Sequence, residues 1–357
     1  MKVYVSGGGT GGHFFPALAL IECLTHKGLT SSFVGSERGI ENKLKDLISV
    51  ESLFLTSKPL MGKSLKEKIP ALIKNLQSSL KLAKRLSKDG VGVIFGGYAS
   101  LPLGVSCILR GLPLFVHEQN SVPSQTNRLL SKFAKRIFIT FEYSRRFFPR
   151  DKVLKTGLPV RRRLLEGLSL QSQEARKELG LENRETLLVI GGSQGASFLN
   201  RLAVEVFSKT GWQGIHITGE REYQEISEAY RERNIKVLTL PFSHSMELVY
   251  RASTIALSRA GASTITELSL YGVPALFVPF PYAVHDHQYY NAKEIEELGG
   301  GLVLREKDAS LERVISALEK ILHERESLSE NFKGFANPVA CELMIEYILK
   351  EGGFNAV

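Results

Sequence analysis

The amino-acid sequence predicts an α/β protein built from two doubly wound parallel sheets, each in its own domain. Three observations lead to this fold class. Short apolar runs that resemble strands alternate with helical segments along the whole chain, which is typical of parallel sheets. A strand, a glycine-rich loop and a helix follow one another twice, first from Val3 and again from Leu187. The chain of 357 residues is also long enough for two hydrophobic cores.

Ten strands are expected, five in each half of the chain. Most are near-continuous apolar runs without strict alternation, as expected for strands that are buried on both faces. The first half has them at 3–5, 31–34, 91–95, 114–117 and 136–140, and the second half at 186–190, 214–218, 236–240, 254–257 and 275–278. The two Rossmann-like domains are expected to join within 158–173, and a final helix at 342–349 is expected to pack back onto the first domain.

The two glycine-rich loops, residues 7–12 and 191–196, are candidates for binding phosphate groups. Glycine lets backbone N–H groups approach a ligand closely, and the start of the following helix adds a partial positive charge. The first loop also fits the G-x-G-x-x-G pattern of dinucleotide-binding proteins. An NAD- or FAD-dependent oxidoreductase therefore stays open as an alternative, with Glu37 as the nearest acidic residue for a ribose. That alternative leaves the second loop unexplained.

The net charge of +9, from 46 Lys and Arg residues against 37 Asp and Glu residues, indicates an anionic partner. Nucleic acid, an anionic membrane surface and a phosphorylated substrate all fit. Residues 58–90 alone contain nine basic and two acidic residues, a net charge of +7. Within them, residues 69–86 predict an amphipathic helix, with apolar side chains at 69, 72, 73, 76, 80, 83 and 86. We expect this apolar face to cover a sheet, with docking to an anionic membrane as the alternative.

Composition excludes several classes of protein. The shares of hydrophobic (43%) and charged (23%) residues are ordinary for a soluble globular protein. Cys23, Cys107 and Cys341 are far apart and form no disulfide or metal-binding pattern. No apolar run reaches the roughly 20 residues of a membrane-spanning helix. Because no secretory signal precedes the first strand, we expect reduced thiols in a cytoplasmic protein.

Two further segments place polar side chains where parallel sheets bind ligands. Residues 117–120, His-Glu-Gln-Asn, follow an apolar strand and suit either a polar substrate such as a sugar or a capped loop. Residues 258–267 follow another strand, and their small side chains would admit a diphosphate. Glu267, in the helix that follows, could accept hydrogen bonds from both hydroxyls of a ribose. A metal site is not expected at His285 and His287, because they diverge on a helix and no distant third ligand is evident.

Taken in order along the chain, these motifs resemble the MurG family of glycosyltransferases (glycosyltransferase family 28), which act in peptidoglycan synthesis. The matching segments are GGTGGH (8–13), GGY (96–98), HEQN (117–120), TG and PVR (156–157 and 159–161), GGSQGA (191–196), SRAGASTITE (258–267), and QY and NA (288–289 and 291–292). The resemblance implies the GT-B fold, two Rossmann-like domains with an interdomain cleft. It also implies an inverting enzyme that moves N-acetylglucosamine (GlcNAc) from UDP-GlcNAc to the 4-hydroxyl of N-acetylmuramic acid (MurNAc) in lipid I, giving lipid II.

The resemblance also implies the roles of individual residues. The UDP-GlcNAc site would comprise Thr10, Gly11, Gly12, Asn120, Arg161, Ser193, Ser243, Ala262, Ser263, Thr264, Ile265, Thr266, Glu267 and Gln288. The acceptor pyrophosphate would be bound by Gly8, Gly9, Gly96, Gly97 and Tyr98. Ser243 departs from the family, where the position that contacts uracil is often apolar.

His13 is the first candidate for the general base that takes the proton of the acceptor hydroxyl, and Glu118 is the rival. A histidine side chain, with an ordinary pKa of about 6.5, suits this role near neutral pH. The start of a helix also disfavours the histidine cation. No tightly bound cofactor and no metal are expected, since loop amides and helix dipoles could stabilise the departing diphosphate.

The expected domains are 1–160 for the acceptor and the membrane, 161–337 for the UDP-sugar, and 338–357 for the returning helix. The expected partners are UDP-GlcNAc, lipid I, an anionic membrane surface contacted through residues 58–90, and a cell-wall synthesis complex, without nucleic acid. The expected location is peripheral, on the cytoplasmic face of the plasma (inner) membrane. Two alternatives stay open: a different GT-B enzyme that makes a glycolipid from a UDP-sugar, and a non-catalytic binder of lipid-linked sugars.

Overall fold

The computed structural model describes residues 2–58, 65–192 and 195–353. Residues 59–64 of the basic segment and Ser193 of the second glycine loop lie outside the described residues. The chain forms two compact units. The first contains the chain up to Arg162 together with the segment from Pro338 onward, and the second contains Arg163–Asn337. In both units parallel strands alternate with helices, which confirms the predicted fold class.

The first unit is built on seven strands: β1 (Lys2–Ser6), β2 (Ser31–Ser36), β3 (Glu51–Leu55), β4 (Gly90–Ile94), β5 (Leu114–Glu118), β6 (Arg136–Ile139) and β7 (Val153–Lys155). They form one parallel sheet in the order β3-β2-β1-β4-β5-β6-β7. The helices between them are α1 (Gly11–His26), α2 (Ile40–Lys43), α3 (Leu65–Ala83), α4 (Leu101–Arg110) and α5 (Gln125–Leu130).

The second unit repeats this plan with six strands: β8 (Thr186–Ile190), β9 (Gln213–Ile217), β10 (Val237–Leu240), β11 (Ile255–Ser258), β12 (Ala275–Phe277) and β13 (Gly301–Val303). They form a parallel sheet in the order β10-β9-β8-β11-β12-β13. The accompanying helices are α6 (Arg162–Glu166), which begins at the boundary, α7 (Ser172–Glu178), α8 (Ser197–Thr210), α9 (Tyr223–Glu232), α10 (Met246–Ala252), α11 (Ala262–Tyr271), α12 (His287–Leu298), α13 (Leu311–His323) and α14 (Arg325–Lys333).

A last helix, α15 (Ala340–Glu351), belongs to the first unit and packs on α1. Its buried side chains Met344, Ile345 and Ile348 join the same core cluster as Val3 and Val5 of β1. Tyr4, on the opposite face of the strand, packs in a second cluster with α3 and α4. Strand β1 is therefore covered on both faces, as the apolar run at its centre predicts.

Both sheets have a topological switch point beside their first strand, where the order reverses. Strand β1 pairs with β4 so that Ser6 lies opposite Ile94, and β8 pairs with β11 so that Ile190 lies opposite Ser258. The loops after these paired strand ends are therefore neighbours at the carboxyl edge of each sheet. Parallel α/β sheets bind ligands at such an edge.

Three strands were not predicted: β3, β7 and β13. All three lie at the edge of a sheet. Edge strands are covered on fewer sides, and β3 carries only exposed or half-buried residues, so it lacks the fully apolar run that marks the central strands. The ten strands predicted from apolar runs all form, with ends that shift by one or two residues.

A buried chain of hydrogen bonds holds the start of α8 in the second unit. Tyr230 Oη lies 2.8 Å from His216 Nδ1, and His216 Nε2 lies 3.1 Å from Asn200 Oδ1. The Asn200 amide nitrogen donates to Glu222 Oε2 (2.7 Å), and Ser197 Oγ donates to the other oxygen of Glu222. Since the Asn200 amide nitrogen is a donor, the Asn200 oxygen accepts a hydrogen bond from His216 Nε2–H. His216 Nδ1 in turn accepts a hydrogen bond from the Tyr230 hydroxyl. His216 is thus neutral, and burial lowers its pKa to about 3.

We expect the second unit to lose stability as the pH falls from about 7 to about 4. The folded-state pKa of His216 lies below its ordinary value, so across this range the unfolded chain binds a proton that the folded chain does not. This contributes a slope of up to about 1.4 kcal/mol per pH unit to the free energy of unfolding. In a His216→Gln variant, which cannot titrate at this position, the free energy of unfolding should change less steeply with pH. The difference in slope should be up to about 1.4 kcal/mol per pH unit, the contribution of one proton. Urea unfolding followed by the fluorescence of Trp212, the chain's single tryptophan, measures this, and equal slopes would contradict it.

Candidate functional site

The first glycine loop joins β1 to α1 and is hydrogen-bonded to the carboxylate of Glu41. Gly9 N–H donates to Glu41 Oε2 (2.9 Å), and Ser36 N–H donates to Glu41 Oε1 (2.9 Å). The Glu41 side chain is completely buried. One amide of the predicted phosphate-binding loop is therefore already used by the protein's own anion. Glu41 is not among the residues predicted from the motifs, although the glycines at 35 and 39 around it signal a crowded position.

The loop after β4 packs against this first loop. A Cβ atom at Gly97 would lie 2.2 Å from the Gly8 carbonyl oxygen, so only glycine allows the two loops to approach this closely. A Cβ atom at Gly9 would lie 2.9 Å from the Tyr98 ring. The structure thus brings together four of the five residues predicted for the acceptor pyrophosphate. The fifth, Gly96, directly precedes Gly97 and has φ of 95°.

His13 lies in the first turn of α1 and begins a relay of hydrogen bonds. Its Nδ1 lies 2.9 Å from Gln119 Oε1, and Gln119 Nε2 lies 3.2 Å from His117 Nδ1. Gln119 Nε2 also donates to the His117 carbonyl oxygen (3.1 Å), which fixes the orientation of the amide. His117 Nε2 faces the Gly157 carbonyl oxygen at 2.9 Å and is therefore a donor.

The direction of this relay determines the tautomer of His13. Because the Gln119 oxygen can only accept, His13 Nδ1 carries a proton, and the neutral ring has its lone pair on Nε2. His117 is completely buried, and burial lowers its pKa to about 4, so it stays neutral and keeps the relay in one direction. Gln119 was noticed in the sequence only as part of a motif, and its role as a link depends on tertiary contacts.

Glu118 is engaged within its own segment. Its Oε1 accepts from Asn120 N–H (3.0 Å), and its Oε2 accepts from Ser124 N–H (3.1 Å) and Asn127 Nδ2 (2.8 Å). Burial raises the pKa of Glu118 to about 7, and these hydrogen bonds partly offset the rise. The carboxyl group holds residues 120–127 in place, with no exposed surface for a substrate.

The remaining candidates of the first unit are more exposed. Thr10 and Gly12 are exposed, and Gly11 and Asn120 are half-buried. Arg161 lies at the end of this unit with its guanidinium 5.7 Å from the centre of the Phe15 ring.

In the second unit, the candidate donor residues follow the carboxyl ends of the strands. Ser243 lies after β10, where its Oγ accepts from Ser245 N–H (3.1 Å). Residues 262–267 form the start of α11 after β11. The side chains of Ile265 and Thr266 are completely buried, so only their backbone could contact a ligand there.

The start of α11 differs from the other two helix starts in its electrostatics. The first glycine loop binds Glu41, and the start of α8 is occupied by Glu222 through Ser197 and Asn200. Within the described ranges, no carboxylate accepts from the first amides of α11, and its first turn carries no acidic residue. Ser263 Oγ there is buried without a partner among the described residues. This helix start is therefore the one best suited to an external diphosphate.

Two side chains around α11 are oriented by their neighbours. The Tyr250 hydroxyl donates to Glu267 Oε2 at 2.7 Å, and Tyr250 is itself buried. Gln288 Oε1 accepts from Phe280 N–H (3.0 Å) and Ala260 N–H (3.3 Å). The amide nitrogen of Gln288 is thereby left as the donor that a ligand can use. Tyr250 was not among the predicted residues, because a tyrosine inside an apolar helix resembles an ordinary core residue.

Nothing in the described ranges groups three or more His, Cys, Asp or Glu side chains as a metal site would require. His287 Nδ1 instead faces the Val284 carbonyl oxygen, and Asp286 pairs with Arg305. Among the described helices, none has the length and apolarity needed to cross a membrane.

Comparisons with known proteins agree with this architecture. Residues 3–139 match the sequence model of the glycosyltransferase family 28 N-terminal domain, and residues 186–341 match that of the C-terminal domain. A relative from Aquifex aeolicus (strain VF5) is 49% identical over 97% of this chain and 99% of its own length. A relative from Bacillus subtilis (strain 168) is 33% identical over 92% of this chain and 93% of its own. Both are named UDP-N-acetylglucosamine–N-acetylmuramyl-(pentapeptide) pyrophosphoryl-undecaprenol N-acetylglucosamine transferase.

Solved structures give the same result. The crystal structure of MurG from Acinetobacter baumannii superposes with a TM-score of 0.77 at 26% identity, covering 98% of this chain and 99% of its own. A UDP-GlcNAc 2-epimerase from Neisseria meningitidis shares the fold, with a TM-score of 0.66 at 15% identity over 98% of this chain and all of its own (100%). The chain belongs to glycosyltransferase family 28 and, within it, to the MurG family.

Proposed function

We propose that this chain is an inverting glycosyltransferase that moves GlcNAc from UDP-GlcNAc to the 4-hydroxyl of MurNAc in lipid I, producing lipid II for peptidoglycan. The observation that carries the proposal is the 49% identity, over 97% of the chain, to a relative named for this transfer. The geometry of the two units supports it, since each offers a separate polar site at the carboxyl edge of its sheet.

The second unit is proposed to bind the donor. The start of α11 would hold the diphosphate with the amides of residues 262–264, and Glu267, oriented by Tyr250, would accept hydrogen bonds from the ribose. Gln288 would donate its amide to the sugar. Further proposed contacts of the nucleotide sugar are Ser193, Ser243 and the backbone of Ile265 and Thr266, and, from the first unit, Thr10, Gly11, Gly12, Asn120 and Arg161.

The first unit is proposed to bind the acceptor pyrophosphate. The packed loops that contain Gly8, Gly9, Gly96, Gly97 and Tyr98 would form the floor of this site. The exposed end of the first loop continues into α1, where the amides of Gly11 and Gly12 have no hydrogen-bond partner among the described residues and can donate to an anion. The amide of Gly9 is used by Glu41, so the amides nearer the start of α1 would carry the contact.

In the proposed reaction, His13 Nε2 takes the proton of the 4-hydroxyl while the hydroxyl oxygen attacks the anomeric carbon. The new C–O bond forms as the bond from this carbon to the diphosphate oxygen breaks, and UDP leaves with the electron pair. A single displacement converts the α-linked donor into a β-linked product. Gln119 Oε1 accepts a hydrogen bond from His13 Nδ1–H in both the neutral and the cationic ring. It therefore orients the base before and after the proton transfer. Glu118 is less suited to act as the base, because it is completely buried and its oxygens already accept from three N–H groups.

The dinucleotide alternative is disfavoured by the same loop. A pyrophosphate bound as in dinucleotide-binding sheets would use the amides within the loop, and the Gly9 amide already donates to Glu41. Glu37, the residue expected to bind a ribose, is exposed and accepts from Thr56 Oγ1 (2.8 Å).

Helix α3 is proposed to bring the protein to an anionic membrane, at the cytoplasmic face of the inner membrane. The expectation that its apolar face covers the sheet was wrong for most of that face: five of the apolar side chains named above are exposed by about half, namely Ile69, Leu72, Ile73, Leu76 and Leu80. The inward face consists mostly of small and polar side chains, and Leu82 joins the core near its end. Asn75 hydrogen-bonds the backbone of Lys58 in both directions, and Ser78 Oγ donates to the Thr56 carbonyl oxygen.

This inverted amphipathicity supports membrane docking, since exposed apolar side chains stand beside lysines on one surface. Lys66, Lys74, Lys81 and Lys84 are all exposed there. Apolar contact and attraction of about 1 kcal/mol per basic residue would act together on an anionic bilayer.

The transfer is tested with radiolabelled UDP-GlcNAc and a lipid I analogue. We expect a β-linked product and release of UDP, with little transfer from UDP-galactose and no oxidation of NADH. Binding of UDP-GlcNAc without turnover would instead indicate a sugar-binding protein, and a change in NADH absorbance would indicate an oxidoreductase.

A His13→Ala variant should lower kcat by about 10²- to 10⁴-fold, because the hydroxyl proton loses its acceptor. The KM for UDP-GlcNAc should change little. The matched control is His26→Ala, which removes an exposed histidine from the same helix and should leave kcat unchanged. Near-normal turnover of the His13 variant would exclude this base.

Replacing Ile73 and Leu76 by serine should weaken binding to phosphatidylglycerol vesicles by about tenfold or more, because two exposed apolar side chains are lost. Binding to neutral phosphatidylcholine vesicles should be weak for all variants, and added salt should weaken binding to anionic ones. A double variant of Leu47 and Leu298, which are equally apolar and exposed elsewhere, is the control in a vesicle co-sedimentation assay. Equal effects of the two double variants would refute docking through α3.

A further inference from the structure

Glu41 is a buried charge that lies outside the sequence motifs and has no role in the proposed reaction. It lies in the first turn of α2, and its side chain has no solvent exposure. Within the described part of the chain, no Lys or Arg forms an ion pair with it. Among the described residues, its carboxylate accepts hydrogen bonds only from two backbone amides, those of Gly9 and Ser36, each at 2.9 Å. Burying a charge with so little compensation is costly, so this arrangement needs a reason.

Three glycines make room for this carboxylate. A Cβ atom at Gly39 would lie 2.1 Å from both carboxylate oxygens, and one at Gly8 would lie 2.4 Å from the nearest of them. One at Gly35 would lie 2.9 Å from Glu41 Cγ. Glycines of three separate segments therefore surround one side chain. Part of the glycine content of the first loop thus serves an internal anion.

The hydrogen bond between Gly9 and Glu41 lies next to residues of the proposed reaction. Gly9 has φ of 85° and sits between Glu41 on one side and the Tyr98 ring on the other. The chain then passes through Thr10, whose carbonyl oxygen accepts from the N–H of His13 (3.2 Å) at the start of α1. The position of Gly9 therefore sets where the helix begins and where its first histidine lies.

We propose that Glu41 is a positioning residue for the acceptor half of the reaction. Its carboxylate fixes the first glycine loop through Gly9 and the end of β2 through Ser36, so that the start of α1 is ready for the acceptor pyrophosphate. It touches neither substrate. The proposal rests on the proposed function, since it takes the first unit as the acceptor site. It gives the acidic side chain near the end of β2 a structural task in place of the ribose contact known from dinucleotide-binding sheets.

The test is a Glu41→Gln variant of the full chain in the transfer assay. Glutamine keeps the shape, but its NH2 group must face one of the two backbone N–H donors, so one of the two hydrogen bonds is lost. We expect the KM for the lipid I analogue to rise by about tenfold, while the KM for UDP-GlcNAc stays within about twofold. The matched control is Glu37→Gln, which neutralises an exposed carboxylate four residues away and should leave both constants unchanged.

A Gly39→Ala variant covers the case in which Glu41→Gln fails to fold. The added methyl group would meet the Glu41 carboxylate while the charge and the first loop stay untouched, and φ of −82° at this position suits alanine. The same selective rise in the KM for the acceptor is expected. Amide hydrogen exchange of residues 7–12 should quicken in both variants and not in Glu37→Gln.

Two outcomes would overturn the proposal. One is unchanged KM for the acceptor in folded Glu41→Gln and Gly39→Ala proteins, and the other is an equal rise in KM for both substrates, which would indicate general damage. Failure of the proposed function is separate, because the wild-type chain would then transfer no GlcNAc.

Discussion

The pairing of β1 with β4 is the constraint on which the first unit depends. Because Ser6 lies opposite Ile94, the two loops that leave these strands emerge side by side at the switch point of the sheet. The approach of Gly97 to the Gly8 carbonyl oxygen leaves no room for any Cβ atom. The second unit repeats the register with β8 and β11, and its candidate donor site again follows the reversal of strand order.

Internal carboxylates distinguish helix starts that look alike in sequence. Small residues precede α1, α8 and α11, and each would be read as a phosphate site. Glu41 and Glu222 already supply negative charge at the first two, and among the described residues none does so at the third. A helix dipole and a few amides can stabilise one anion well, so an internal carboxylate reduces what remains for a ligand. The absence of such a carboxylate makes the start of α11, among the described residues, the best suited of the three to an external diphosphate.

The direction of hydrogen bonds likewise distinguishes the two candidate bases. His13 precedes an apolar helical segment and Glu118 ends an apolar strand, and both side chains can accept a proton. The relay through Gln119 and His117 leaves His13 with its lone pair on Nε2, while burial and three donors commit Glu118 to its own loop.

Helix α3 shows that burial can also differ from what the sequence pattern predicts. Five of its large apolar residues face outward, while Asn75 and Ser78 on the inward side bond the backbone beneath them.

The sequence by itself determined the fold class, the two repeated units, ten of the thirteen strands in the described ranges and the order of the motifs along the chain. These follow from local patterns: apolar runs, glycine positions and the spacing of helices. Tertiary structure alone decided the edge strands, the face that α3 buries, the tautomer of His13 and the role of Glu41. Each depends on atoms that are distant in sequence, since burial and the partner of a polar group are set by what packs against it.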